Sequence, residues 1–215
     1  MTENSIEAQY DVTKKSKFKK FYDSNKTVIF FFIFILILLF GSLSFYFEKK
    51  EGKKILLSEK YVEAQFYIDS GNKNEALGLL KKIIYENDPT YSTLSFFLIL
   101  NANLINDYKE TLNLYDYLLD NNKFDKELRN LLIYKKALFN SNYANEAELL
   151  ENIKPILNTD TLWKPHALIL LGDYFMSKGE TIKAAEFYQK VLSTNNLSGS
   201  LYEQTKTKVI SIANE

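Results

Sequence analysis

Twenty consecutive residues, Val28 to Phe47, carry no charge, and nothing else in the chain narrows its architecture as much. At about 1.5 Å of rise per residue a helix of that length spans roughly the 30 Å hydrocarbon core of a bilayer. A helix satisfies its own backbone hydrogen bonds, so one such segment suffices to cross a membrane, and the residues beyond it must fold in water. A secretory signal peptide is the competing reading, with Ser42-Leu43-Ser44 as its small-x-small cleavage site. Against it stand the long lead-in and the bulky Phe45, Tyr46 and Phe47, which restore apolarity after the serines. A buried core helix is disfavoured because charge is missing from every face. The expectation is a retained, single-pass transmembrane helix over 28–47, preceded by a short Lys-rich tail (1–27) and followed by a juxtamembrane helix or linker (48–56).

Flanking charge orients such a helix only weakly. Lys14, Lys15, Lys17, Lys19, Lys20 and Lys26 precede it, and Lys49, Lys50, Lys53, Lys54 and Lys60 follow it. Because basic residues favour the cytoplasmic side, this near-balance barely decides. A single anchor close to the start of a chain usually keeps its short tail inside and exports the rest, so the tail is expected in the cytoplasm and the following domain outside it.

Composition excludes several functions. The formal net charge is zero and there is a single arginine, Arg129, which gives no reason to expect nucleic acid. Cysteine is absent, so disulfides, thiolate metal sites and a thiol nucleophile are excluded. The sole histidine, His166, has no second histidine beside it, and neither a Ser/His/Asp set nor a Gly-rich phosphate loop accompanies it. The abundant Asp and Glu read as solvated helix faces or partners of lysine. No enzyme, metal or cofactor is expected.

Beyond the apolar segment, helical periodicity dominates. Ala76, Leu77, Leu80, Ile83 and Ile84, and later Leu112, Tyr115, Leu118 and Leu119, recur at helical spacing, and no strand-like alternation competes. Punctuation at Ser70-Gly71-Asn72, Asn87-Asp88-Pro89, Ile105-Asn106-Asp107, Asp120-Asn121-Asn122, Asn140-Ser141-Asn142, Asn158-Thr159-Asp160 and Lys178-Gly179-Glu180 cuts the sequence into helical hairpins. From Trp163 onward the hairpin resembles a tetratricopeptide repeat: Leu171-Gly172, Phe175, the turn residue Gly179, Ala184, Tyr188 and Val191. Small residues at 172 and 184 let two helix backbones approach. Aligned units give Ala64, Tyr67, Gly71, Ala76, Leu80 and Ile83, then Ile99, Ala102, Asn106, Thr111, Tyr115 and Leu118, then Lys135, Leu138 and Ala147. The fold class expected is all-α: an N-terminal transmembrane helix followed by a tetratricopeptide-like helical-hairpin solenoid of about four units over 57–215. An irregular helical bundle is the alternative.

The short tail, the single span, the Lys/Glu-rich exit and the motifs Leu162-Trp163-Lys164, Leu171-Gly172-Asp173, Lys178-Gly179-Glu180 and Ala184-Ala185-Glu186-Phe187-Tyr188 together resemble the YfgM-like ancillary subunits of the bacterial Sec translocon. The likeness extends through Leu114-Tyr115-Asp116 to Leu128-Arg129; low Ala and Gly content departs from typical members. Membership implies an inner-membrane protein whose periplasmic repeat domain associates with translocon subunits and a membrane-anchored periplasmic chaperone.

Stacked hairpins leave a concave surface lined by the first helix of each pair. The repeat phase places Tyr61, Gln65 and Ile68, then Phe96, Leu100 and Asn103, then Leu132, Lys136 and Phe139, then His166, Ile169, Asp173 and Met176 along it. This mixture suits an apolar segment of a partner, emerging polypeptide included. Ala64, Ala76, Ala147, Gly172 and Ala184 are expected at helix crossings. Gly41 and Ser44 share a face on which a neighbouring membrane helix can approach closely. The expected function is a noncatalytic, membrane-anchored protein-interaction module in secretion or envelope protein folding; the alternative is a self-assembling envelope or cell-division scaffold, with homo-oligomers.

Overall fold

The computed structural model describes residues 17–214; most of the Lys-rich tail, residues 1–16, lies outside them. The described residues are all-α, with nine helices in chain order. They are α1 (Lys17–Asp69), α2 (Lys73–Tyr85), α3 (Pro89–Asn101), α4 (Tyr108–Asn121), α5 (Lys126–Asn140), α6 (Glu146–Leu157), α7 (Lys164–Ser177), α8 (Thr181–Leu192) and α9 (Gly199–Ala213). The chain divides into two compact units, Met1–Leu56 and Leu57–Glu215.

In the first unit α1 runs unbroken through the apolar segment, the one helix among the described residues long and apolar enough to cross a membrane. Its large side chains, Phe30 to Phe40 and Phe45 to Phe47 among them, are turned outward and exposed, as a lipid-facing surface requires. One of the two serines inside the segment satisfies itself: Ser42 donates its hydroxyl to the Leu39 carbonyl at 2.9 Å. Residues 48–56 continue the helix.

In the second unit the starts and stops of the helices follow from local chemistry. Asp88 accepts from the Thr90 and Tyr91 amides at 3.0 and 2.9 Å, with Pro89 at the first helical position. Asp107, Asp125, Asn145 and Ser198 cap α4, α5, α6 and α9 in the same way. Gly71 and Gly179 end α1 and α7 at φ +80° and +75°. There the Asn72 and Glu180 amides reach back to the Tyr67 and Phe175 carbonyls at 2.8 and 2.9 Å, the left-handed closure that glycine permits without a Cβ penalty. Asn103, at φ +49°, closes α3 with the same bond, from Leu104 N to Ile99 O at 3.0 Å.

From α2 onward each helix packs on the next in the chain, α7 on α8 and α2 on α3 most extensively. One buried cluster gathers Leu57 and Ala64 of α1 with Leu80, Ile83, Ile84, Phe96, Ile99, Leu114, Tyr115 and Leu118. A second runs from Leu119 through Leu132, Ala137, Leu149, Ile153, Leu171 and Phe175 to Tyr188. α4 serves both, because Leu118 joins the first cluster and Leu119, about 100° further round the helix, joins the second.

Four hairpins share one buried pattern. Ala64 and Ala76, Ile99 and Thr111, Ala137 and Leu149, and Gly172 and Ala184 are buried pairs at equivalent places. The third pair corrects the sequence alignment. Lys135 and Ala147 are exposed, Leu138 is 41% exposed, and the buried residues lie two positions later, at Ala137, Asn140 and Leu149. The cause is length: relative to their counterparts in the first turn of the pattern, α4, the linker 122–125 and α5 are each longer than α2, the linker 86–88 and α3. An alanine at 147 looked like the small crossing residue, whereas here the small residue is Ala137 on the first helix and Leu149 fills the second.

Candidate partner-binding surface

The residues expected along one concave face are distributed over several environments. Tyr61 is half-buried, its ring 6.4 Å from that of Tyr91 on α3, and burial pushes its hydroxyl pKa up. Gln65 is exposed one turn further on, and Leu100 is half-buried against the first core cluster. Phe96 is not available to a partner: it is fully buried, edge-on to Tyr115 at 4.5 Å between ring centres. Asn103 is exposed, but it serves as the left-handed stop of α3 rather than a helix-face residue.

The two-residue shift of the third hairpin relocates its candidates. Lys136 forms an ion pair with Asp116 of α4, and Phe139 stacks on Tyr108 with ring centres 5.5 Å apart. Both therefore face α4. Leu132 is fully buried. In α7 Ile169 is buried in a small cluster with Leu168 and Val191, against which Leu197 and Leu201 pack. Asp173 is exposed, yet it accepts from the Tyr188 hydroxyl at 2.6 Å and from Lys208 of α9 at 2.7 Å. Its role is thus to tie three helices together.

Of the crossing residues, Ala64, Ala76, Gly172 and Ala184 are buried and Ala147 is not. Gly41 and Ser44 lie exposed on α1, and a Cβ at Gly41 would meet nothing within 4 Å.

Two aromatic residues outside the expected groove set, Tyr134 and Trp163, gather around His166. Tyr134 of α5 stacks on Trp163 with ring centres 5.7 Å apart and meets the His166 ring at 5.9 Å, while Trp163 and His166 are 5.3 Å apart. All three side chains are half-buried. Burial, and secondarily the negative charge of Asp173, push the Tyr134 hydroxyl pKa up. His166 Nδ1 lies 3.3 Å from the Leu162 carbonyl oxygen one turn back. The preceding loop is held by Glu127, which accepts from the Thr161 hydroxyl at 2.8 Å and the Leu162 amide at 3.3 Å. That leaves Leu162 three-quarters exposed beside the aromatic group. An open cleft of about 510 Å³ continues from here, lined by Glu127, Asp160, Leu162, His166, Leu197 and Leu201. Shifting the third unit by two residues puts Tyr134 in the register of Tyr61 and Ile169, so the signal was present but read out of phase.

Chemically this surface offers aromatic faces and aliphatic tips with amide and hydroxyl edges, the composition of a peptide-contacting groove. Among the described residues no group of three or more His, Cys, Asp or Glu is placed to hold a metal ion.

Fold and surface together define one candidate membrane-spanning helix among the described residues and, after it, a domain of helical hairpins. Over 184 residues the chain is 31% identical to the ancillary SecYEG translocon subunit of Buchnera aphidicola subsp. Schizaphis graminum (strain Sg), covering 81% of this chain and 87% of that one. No protein-family model matches the chain, and no solved structure matches it. The chain belongs to the family of ancillary SecYEG translocon subunits.

Proposed function

We propose that this protein is a noncatalytic ancillary subunit of the Sec translocon, held in the bacterial inner membrane by residues 28–47. Its tail lies in the cytoplasm and its tetratricopeptide-like domain (57–215, about four units) in the periplasm. The likeness to a translocon subunit over most of both chains carries the reading. The aromatic and aliphatic surface around Tyr134, Leu162, Trp163 and His166 supports it, because a peptide groove needs apolar anchors with polar edges. Tyr61, Gln65 and Leu100, half-buried or exposed on α1 and α3, offer further contacts of the same chemical kind.

The domain acts by proximity. Tethering beside an exit pore raises the effective concentration of a weak groove toward emerging polypeptide or a membrane-anchored periplasmic chaperone, so modest intrinsic affinity suffices. Gly41 and Ser44 are where a translocon helix approaches the span.

Photo-crosslinking residues at Gln65, Leu138 and Leu162 in the full-length protein test this in intact membranes. Adducts to translocon subunits, secretory polypeptide or a periplasmic chaperone are expected. Adducts only to second copies of the chain would replace the reading with that of a scaffold.

A further inference from the structure

Outside the hairpin domain, a second surface combines charge and position in a way the translocon reading leaves unused. In α1, residues Lys49, Lys50, Lys53 and Lys54 follow Tyr46 at three, four, seven and eight positions. At about 100° per residue those offsets bring all five side chains onto one side of the helix. Glu48 and Glu51 fall on the other side. All seven residues belong to the same compact unit and are exposed. A helix that merely needed solubility would intersperse its charges; this one segregates them.

The position of the face matters as much as its sign. Tyr46 is the penultimate residue of the apolar segment, near the end where amphipathic aromatic rings mark the membrane–water boundary. Tyr22 precedes the apolar segment by six residues at the other end, with Lys19 and Lys26 one turn to either side of it. At about 1.5 Å per residue the two tyrosines stand roughly 36 Å apart along α1, between the thickness of the hydrocarbon core and that of the whole bilayer. The lysines beyond Tyr46 begin within one turn of the end of the apolar segment, and their long stems allow the ammonium groups to turn back toward that boundary. Basic residues on both flanks of a span work against a decisive orientation, and the second set places a one-sided positive face at the boundary of its own leaflet.

We propose that Tyr46, Lys49, Lys50, Lys53 and Lys54 form a headgroup site for anionic phospholipid. The tyrosine hydroxyl and the nearer lysine pair engage the lipid phosphate, and the farther pair, one turn away, adds attraction to a second negative charge. The acids on the opposite side leave that side less attractive, so the lipid is held on one face. The site is independent of which leaflet contains it and of what the hairpin domain binds.

The test uses the full-length protein, reconstituted in nanodiscs of mixed phosphatidylcholine and phosphatidylglycerol and then released into mild detergent for native mass spectrometry. The wild type is expected to retain phosphatidylglycerol several-fold over phosphatidylcholine, and a parallel series with cardiolipin to retain it at least as strongly. The variant Lys49→Gln/Lys50→Gln/Lys53→Gln/Lys54→Gln is expected to lose the preference. A second variant, Glu48→Lys/Glu51→Lys/Lys50→Glu/Lys53→Glu, keeps the charge count but breaks the face, and is expected to lose it as well. Undiminished preference in the first variant overturns the proposal, and undiminished preference in the second reduces it to net charge and overturns the site. Alkaline carbonate extraction of each protein separates the causes: release of the wild-type chain would remove the membrane span and the site with it, whereas an integral protein without lipid preference removes the site alone.

Discussion

Gly172 is the residue whose identity the packing explains most directly. A Cβ there would stand 2.6 Å from Tyr188 Cδ1 and closer still to Cε1. The ring cannot retreat easily, because it is 2% exposed and its hydroxyl is committed to Asp173 at 2.6 Å. Gly172→Ala is therefore expected to destabilise the domain by about 1–3 kcal/mol through overpacking, measured by denaturant unfolding, and the cost should shrink when Tyr188→Leu is already present. The glycine was legible in the sequence as a helix-crossing residue; its specific neighbour was not, since only the folded pair reveals that Tyr188 lies across it. Tyr188 and Tyr115 also carry a pH dependence. Burial raises both pKa values above the ordinary 10.0, with the Asp173 hydrogen bond and charge adding at Tyr188. The unfolded chain sheds these protons first as pH rises past about 10, so stability is full below that value and falls above it. Tyrosinate absorbance in an alkaline titration should show these two residues ionising late, together with loss of helical circular dichroism rather than before it.

Among the elements, the third hairpin separates what patterning conveys from what it cannot. Helix existence and order were readable from apolar spacing and from the Asp, Asn and Gly punctuation, and the caps at Asp88 and Asp107 fall at those breaks, while the Asn145 cap lies three residues beyond the nearest one. The phase of α5 and α6 was not, because slight lengthening of two helices and a linker shifts every face without leaving a compositional mark. The consequence for function is direct: Lys136 and Phe139, expected in the groove, face α4, and Tyr134 takes the register beside Trp163 instead. The corrected phase predicts opposite responses from near neighbours. Leu149→Ala, at a fully buried position, is expected to cost about 2–5 kcal/mol. Ala147→Leu, at an exposed one, is expected to change stability within about 0.5 kcal/mol. Thermal or urea unfolding of the two variants distinguishes the registers. Capping gives a smaller effect: Asp107→Ala removes the acceptor of the Lys109 and Glu110 amides and should cost about 0.5–2 kcal/mol.

At the scale of the whole chain, α1 belongs to both units, which makes the end of the membrane helix part of the folding problem of the domain. Leu57 and Ala64 are 1% and 0% exposed and join Leu80, Ile83, Ile84 and Phe96 in the first core cluster. A boundary drawn where the helix ends would leave those partners uncovered; the compact unit begins at Leu57, in mid-helix. A fragment of residues 57–215 is accordingly expected to be soluble without detergent and to unfold cooperatively. A fragment beginning at Lys73 loses the α1 contribution to the core and should melt at markedly lower temperature and expose apolar surface to a hydrophobic dye. Equal melting of the two fragments would mean that α1 beyond Leu57 is a connector and not a core element. The expected inequality follows from burial alone: removing two fully covered side chains and the helix that carries them uncovers the first hairpin, whereas the cut at Leu57 removes only residues that contribute nothing to that cluster.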